Sequence, residues 1–152
     1  MAALVISVGL SLVLMLGPAA PAAAAESCAP ISATEVEALF DHWNGAVQSG
    51  DPDQVTALYA DQALLLPTLS PIPRHDHAGI RDYFVGFLKG GPVGEVTSRT
   101  IQLGCNEAVD AGTYTFRFRD GHAVQARYTF VYAYGAGGWL IQHHHSSLAP
   151  AV

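Results

Sequence analysis

The stretch Ala123–Ser147, AVQARYTFVYAYGAGGWLIQHHHSS, contains two of the strand patterns that decide the fold. In its first half, three aromatic residues alternate with Arg127, Thr129 and Val131. A period of two predicts a β-strand with one buried face. A glycine-rich turn separates this strand from a second apolar and polar run, Trp139–Ser147. Two such runs joined by a short turn predict an antiparallel pair of strands.

Further strand patterns precede this pair. Val96–Leu103 and Ala108–Phe118 also have a period of two, and Asp120-Gly121 is a hairpin turn signal before the aromatic strand. Farther upstream, Ala63–Leu66 predicts a brief strand that Pro67 stops. The second half of the chain therefore predicts a four-stranded antiparallel meander.

Helical patterns occupy the first half of the chain. Apolar residues recur at helical spacing after Ser32, and a shorter helix is predicted to begin at Pro52. Asp76 is expected to cap a third helix over Ala78–Lys89. Helices followed by a meander predict an α+β fold, in which a long curved sheet wraps around the helices as a cone with one open end. Such a cone provides a natural pocket.

Composition limits the possible functions. The chain has 152 residues, of which 13 are acidic and 7 basic, so the formal net charge is −6. A protein that binds nucleic acid needs a basic surface, and this chain is acidic overall, so we expect no nucleic-acid partner. The sequence contains no glycine-rich phosphate loop. We expect no cofactor.

The first 25 residues have the pattern of a secretory signal peptide. They carry no charge, contain an apolar run over Leu4–Leu16, and end in Ala23-Ala24-Ala25 before Glu26. We therefore expect a signal peptide at 1–25, one domain at 26–152, and export to the periplasm or the extracellular space. After cleavage, no membrane contact is expected. An uncleaved membrane anchor is the alternative, although the run is shorter than a typical span.

The sequence has two cysteines, Cys28 and Cys105. In an oxidising compartment, two cysteines predict one disulfide, which here would tie down the start of the exported domain. Two separate thiols are the alternative. The cysteines lack a C-x-x-C spacing, so no metal site is expected from them.

The motifs together resemble a known superfamily. The stretches that carry the resemblance are Phe40-x-x-Trp43, Gly50-Asp51-Pro52 with Leu58-Tyr59-Ala60, Ile80-x-x-Tyr83-Phe84-x-x-Phe87-Leu88, Ala126–Tyr132 and Gly138–Ser147. They are similar to the nuclear transport factor 2-like superfamily, which includes ketosteroid isomerases and SnoaL-like polyketide cyclases. The ending, GxWxIxHxHxS, resembles most closely the bacterial secreted members of the calcium/calmodulin-dependent protein kinase II association-domain family.

The resemblance implies a cone-shaped domain that associates with itself as a homodimer or larger ring. It does not imply kinase activity, because the sequence has no kinase signature motifs. The family normally carries an arginine directly after its His-x-His, and this chain has Ser146 there. An arginine-lined, acid-binding pocket therefore does not carry over at that position.

Five residues are candidates for a ligand-binding pocket: Arg74, Tyr83, Arg127, His143 and His145. On a strand, His143 and His145 share one face and His144 takes the other. The histidines are suited to acid–base chemistry, to a metal, or simply to hydrogen bonds within the sheet or at an interface. We expect no metal.

Two functions are consistent with these residues. The preferred hypothesis is a secreted, self-associating domain whose pocket binds a small organic ligand, a carboxylate or an aromatic compound. The alternative is a small isomerase or cyclase that uses a pocket histidine or aspartate with a tyrosine. Asp110 and Asp120 are both expected at turns, which places no aspartate inside the sheet and weakens the enzyme hypothesis.

Overall fold

A computed structural model describes residues 27–150 of the chain. The predicted signal peptide, residues 1–25, lies outside the described residues and stays a prediction. Within residues 27–150, no helix is long and apolar enough to cross a membrane.

Residues 27–90 contain three α-helices, as the sequence predicts, with one strand between the second and the third of them. Helix α1 spans Ala33–Ser49 and begins with a capping box between Ser32 and Glu35, which satisfies the free N–H groups of its first turn. Helix α2 spans Pro52–Thr56. Helix α3 spans His77–Phe87, and the Asp76 carboxylate caps it by accepting the Gly79 N–H.

One strand from the first half of the chain and four strands from the second half form one sheet. Its strands are β1 Tyr59–Leu66, β2 Val93–Leu103, β3 Glu107–Arg117, β4 Ala123–Gly135 and β5 Gly138–Leu148. Their order in the sheet is β1-β5-β4-β3-β2. Strands β2 to β5 make the predicted antiparallel meander. The α+β prediction is confirmed.

Strand β1 goes beyond the sequence prediction. It is longer than the predicted brief strand and pairs in parallel with β5, so the sheet has five strands. Leu65 lies opposite His144 in this pairing. Strands β1 and β2 lie at opposite edges of the sheet, and the segment between them, which contains helix α3, carries the chain from one edge to the other.

The helices pack against one face of the sheet, and aromatic side chains fill the space between them. Phe40 and Trp43 of α1 are buried, and their rings contact Phe130 of β4 at centroid distances of 5.9 and 5.2 Å. The inner face of the sheet is therefore the face that carries the even-numbered aromatic residues of β4.

The predicted disulfide between Cys28 and Cys105 is present, with a Cα–Cα distance of 4.8 Å. It joins the segment before α1 to the turn between β2 and β3. Next to it, the backbone N–H of Ala29 donates to the Asn106 side-chain oxygen at 2.7 Å. The start of the domain is thereby fixed to the sheet by a covalent bond and a hydrogen bond.

Candidate functional site

An aromatic cavity lies inside the cone, between the helices and the sheet. It encloses about 20 Å³ of free space, enough for one water-sized group. Its lining residues are Trp43, Leu65, Pro67, Thr68, Leu69, Tyr83, Phe84, Phe87, Tyr114, Phe116, Phe118, Val124, His144 and Ser146. The walls are apolar and rich in aromatic rings.

A chain of hydrogen bonds crosses the inner end of the cavity. The Trp43 indole N–H donates to the Tyr59 hydroxyl oxygen at 3.1 Å. The same hydroxyl lies 2.8 Å from Nδ1 of His144. All three side chains are buried, and the imidazole stacks on the Phe130 ring at 4.0 Å between centroids. Burial, with a smaller contribution from the charge of His145, lowers the pKa of His144 to about 3.

A second polar group lies beside the imidazole. The Tyr114 hydroxyl donates to the Ser146 hydroxyl at 2.6 Å, and Ser146 also contacts the Thr68 hydroxyl. Burial raises the pKa of the Tyr114 phenol, so this group stays protonated. Ser146 stands where the family carries arginine, and it faces the cavity. The inner end of the cavity therefore holds hydroxyls in place of a cation.

The cavity adjoins a wider vestibule of about 480 Å³. Tyr83, Phe87, Leu69 and Phe118 line both spaces and form the boundary between them. Two of the predicted site residues meet here, because Arg74 lines the vestibule beside Tyr83. Burial raises the pKa of Tyr83, and the nearby Arg74 charge opposes this effect.

Arg74 is the cation of this vestibule. Its side chain is only 16 % exposed, and its Nη2 lies 3.6 Å from the exposed carboxylate of Asp82. Its Nε is buried and has no hydrogen-bond partner among the described residues. Because its ion pair with Asp82 is long, the guanidinium is able to bind a carboxylate in the vestibule.

The other three predicted site residues lie on the opposite face of the sheet. Arg127, His143 and His145 are exposed, and none lines the cavity. Arg127 and His145 line a shallow groove of about 450 Å³ on the outer face. The expectation that these three residues face the cavity does not match their placement, and His144 takes the inner position.

A β-bulge explains this placement. Tyr132 of β4 pairs with Ile141, but the next pair is Val131 with His143, so Gln142 is an extra residue in β5. One extra residue moves the following side chains to the other face. If the register of Tyr132 with Ile141 continued without a bulge, His143 would lie opposite Phe130 and would face inward.

A buried acid, Asp110, was also missed by the sequence prediction. It lies inside β3 and not at a turn, and its side chain has no exposed surface. Its carboxylate accepts from the Tyr128 hydroxyl at 2.9 Å and lies 3.2 Å from Nε of Arg99. Burial raises the pKa of Asp110, although Tyr128 and Arg99 oppose this effect. Asp110 is not among the cavity residues.

Asp120 lies in the predicted turn, where its carboxylate accepts from the backbone N–H of His122 at 3.1 Å. Residues 27–150 contain no group of three histidine, cysteine or acidic side chains arranged to hold a metal ion.

An α+β cone in which a curved five-stranded sheet and three helices enclose an aromatic cavity defines the nuclear transport factor 2-like class. A sequence profile of the calcium/calmodulin dependent protein kinase II association domain matches residues 32–150. The chain belongs to that family.

Solved structures agree with this assignment. A Xanthomonas campestris protein, assigned provisionally to the same association domain, is 45 % identical, with a TM-score of 0.76 over 84 % of this chain and 97 % of that chain. A nuclear transport factor 2-like protein of unknown function from Pseudomonas putida KT2440 is 21 % identical, with a TM-score of 0.69 over 78 % of this chain and 87 % of that chain.

A Streptomyces avermitilis protein of the nuclear transport factor 2-like family, assigned provisionally as a dehydratase, is 14 % identical. It has a TM-score of 0.68 over 78 % of this chain and 96 % of that chain. At this level of identity, the likeness shows the fold alone.

Proposed function

We propose that this chain is a secreted, self-associating domain that binds a small aromatic carboxylate in its cavity and vestibule and has no kinase activity of its own. The aromatic ring would occupy the boundary between the two spaces, and the carboxylate would bind Arg74. The observation that carries this proposal is the shielded Arg74 guanidinium, which has only a long ion pair and lines a vestibule next to a ring-lined cavity.

The chemistry of Arg74 supports a carboxylate over a neutral group. A hydrogen bond between a guanidinium and a carboxylate is about twice as strong as one between neutral groups. Asp82, the present partner of Arg74, is 77 % exposed and lies at the long distance of 3.6 Å. Water screens such a pair, so a ligand carboxylate is able to replace it at small cost.

The test is a calorimetric titration of the exported protein with 4-isopropylbenzoate and with its neutral analogue, 4-isopropylbenzamide. We expect the acid to bind about tenfold more tightly than the amide. The variant Arg74→Met should lose this preference. Arg81→Met is the matched control, because Arg81 is an exposed arginine of α3 that pairs with Asp53 away from the vestibule. Equal binding of acid and amide, or no binding of either, would contradict the proposal.

Self-association is the second part of the proposal, and the family assignment supports it. The outer face of the sheet is the surface we assign to it. The groove there presents Arg127 and His145 beside the small residues Thr113, Gly112 and Ser147. Small side chains around a groove allow a second copy to approach closely. Arg127 and His145 would then serve the interface and not the cavity.

The alternative proposal is a small isomerase or cyclase that uses the buried His144 with Tyr59. The observation that favours it is their 2.8 Å hydrogen bond at the inner end of the cavity. Its test is deuterium exchange next to the carbonyl of 4-acetylbenzoate in heavy water. Exchange faster than in buffer, lost in His144→Phe, would support the enzyme; exchange at the buffer rate would support a binding domain.

A further inference from the structure

The inner end of the cavity contains one polar atom that the protein leaves free. His144 is 4 % exposed, and its Nε2 has no hydrogen-bond partner among the described residues. A buried polar atom without a partner costs free energy unless another molecule satisfies it. His144 also lines the cavity. The free atom therefore lies on a side chain of the cavity wall.

The neighbouring hydrogen bonds determine what this atom offers. The Trp43 indole N–H is a donor only, so the Tyr59 hydroxyl oxygen accepts from it. Among the described residues, the only other partner of this hydroxyl is Nδ1 of His144, which lies 2.8 Å away. An Nδ1–H would leave the buried hydroxyl hydrogen unpaired, so the hydroxyl donates to Nδ1. Nδ1 is thus an acceptor. In a neutral imidazole with an accepting Nδ1, the hydrogen is on Nε2. His144 therefore presents an N–H donor.

The imidazole remains in this neutral form at ordinary pH. Burial lowers the pKa of His144 to about 3, and the nearby His145 acts in the same direction. A neutral imidazole whose only lone pair already accepts from Tyr59 has no lone pair with which to take a proton from a ligand. Its remaining capacity is to donate one hydrogen bond.

The surroundings of the donor select against a charged partner. No cavity-lining residue is a lysine, an arginine or an acid. A carboxylate at the inner end would lose its water without gaining a countercharge, which is costly. The Ser146 hydroxyl is already occupied by Tyr114 and Thr68. A neutral carbonyl oxygen needs only one donor and about the free space that is present.

We infer that the ligand is an aryl keto acid. Its neutral carbonyl oxygen accepts from Nε2–H of His144, and its carboxylate lies in the vestibule at Arg74. This inference rests on the proposed function for the carboxylate end and adds the chemistry of the buried end. Under it, His144 determines ligand specificity by donating a hydrogen bond to the carbonyl oxygen.

The test is a calorimetric titration with three benzoates that differ only at the para position: 4-acetylbenzoate, its isostere 4-isopropenylbenzoate, and terephthalate. The same para groups on phenylacetate and 3-phenylpropanoate cover longer spacings between the two ends. At the spacing between para group and carboxylate that binds best, we expect the acetyl compound to bind at least about tenfold more tightly than the isopropenyl compound. Terephthalate and its longer analogues should bind most weakly.

Two variants locate the preference. In His144→Phe, which keeps a ring of similar size, the acetyl preference should fall below about twofold. In His143→Phe, on the outer face of the same strand, it should be unchanged. A two-bond ¹H–¹⁵N spectrum of the histidines gives a measurement that does not depend on a ligand. It should show the His144 ring protonated at Nε2, with the signal assigned by its loss in His144→Phe.

The outcomes separate this inference from the proposed function. Equal affinities for acetyl and isopropenyl compounds, tightest binding of terephthalate, or a His144 proton at Nδ1 would overturn the inference and leave the carboxylate site intact. Absence of binding by every probe would overturn both.

Discussion

The hydroxyl oxygen of Tyr59 lies 2.8 Å from Nδ1 of His144, and this bond joins β1 to β5 inside the cone. It connects the edge strand β1 to the one histidine of β5 that faces inward. Trp43 donates to the same hydroxyl, and the hydroxyl hydrogen is satisfied when Nδ1 accepts it, which leaves the imidazole one free donor.

The first prediction concerns acid sensitivity. The pKa of His144 is about 3 in the fold, against an ordinary value of 6.5. Between these values the unfolded chain binds more protons, so stability is complete above about pH 6.5 and falls as the pH falls towards 3. From pH 7.5 to pH 5, the free energy of unfolding should fall by about 2 kcal/mol more in the wild type than in His144→Gln.

Urea unfolding at the two pH values measures this difference. Glutamine does not titrate, and all other histidines are shared, so their contributions cancel. The same pH dependence in both proteins would show that His144 is not held neutral by the fold.

The second prediction concerns the disulfide. Replacing Cys28 and Cys105 by serine should lower the free energy of unfolding by about 4 kcal/mol, because the bond closes a long loop in the unfolded chain. Chemical denaturation measures the loss. Wild-type protein treated with a reducing agent is the control and should match the double variant. A loss below about 1 kcal/mol would mean that the fold holds this end of the chain without the disulfide.

The third prediction concerns assembly. Arg127→Glu places an acid in the outer groove and should shift the protein towards the monomer in light scattering at micromolar concentration. Lys89→Glu makes the same charge change at an exposed position after α3 and should keep the wild-type mass. A monomeric wild type would contradict self-association altogether. A wild-type mass for Arg127→Glu would place the interface on another surface.

The fourth prediction concerns the buried acid. Asp110→Ala leaves Arg99 and Tyr128 without their partner and should lower the free energy of unfolding by about 2–3 kcal/mol. This is less than for a fully buried pair, because the Arg99 side chain is 18 % exposed. Asp110→Asn should cost less, since Tyr128 keeps an acceptor. The control is Asp120→Ala at the exposed turn, with a change within about 0.5 kcal/mol. Equal losses at the two aspartates would contradict this account.

The periodicity of the sequence was sufficient to predict the α+β fold and the meander, and the residue types at Ser32 and Asp76 were sufficient to predict the helix caps. The period of two in Ala108–Phe118 also indicates an inward position for Asp110. Asp110 and Tyr114 are four residues apart in the predicted strand Ala108–Phe118, so they share one face of the strand. Both side chains face inward. A strict period of two would have placed the acid inside the sheet. Its position near the strand's start favoured the turn interpretation instead.

The inward histidine could not be predicted from the same pattern. The alternation of His143, His144 and His145 is visible in the sequence, but the face depends on the register with β4. The extra residue Gln142 sets that register. A bulge of one residue leaves no clear signal in composition or spacing, yet it exchanges the two faces. The parallel pairing of β1 is likewise a long-range contact that local patterns do not encode.

Fluorescence of Trp43 tests most directly whether the cavity binds an aromatic carboxylate. The chain has two tryptophans, so Trp139→Phe leaves only the one that lines the cavity. Titration of this variant with the quencher 4-nitrobenzoate should give saturable quenching, and adding Arg74→Met should weaken the apparent affinity by about tenfold. Quenching that rises linearly without saturation, as for free tryptophan in solution, would contradict a binding site in the cone.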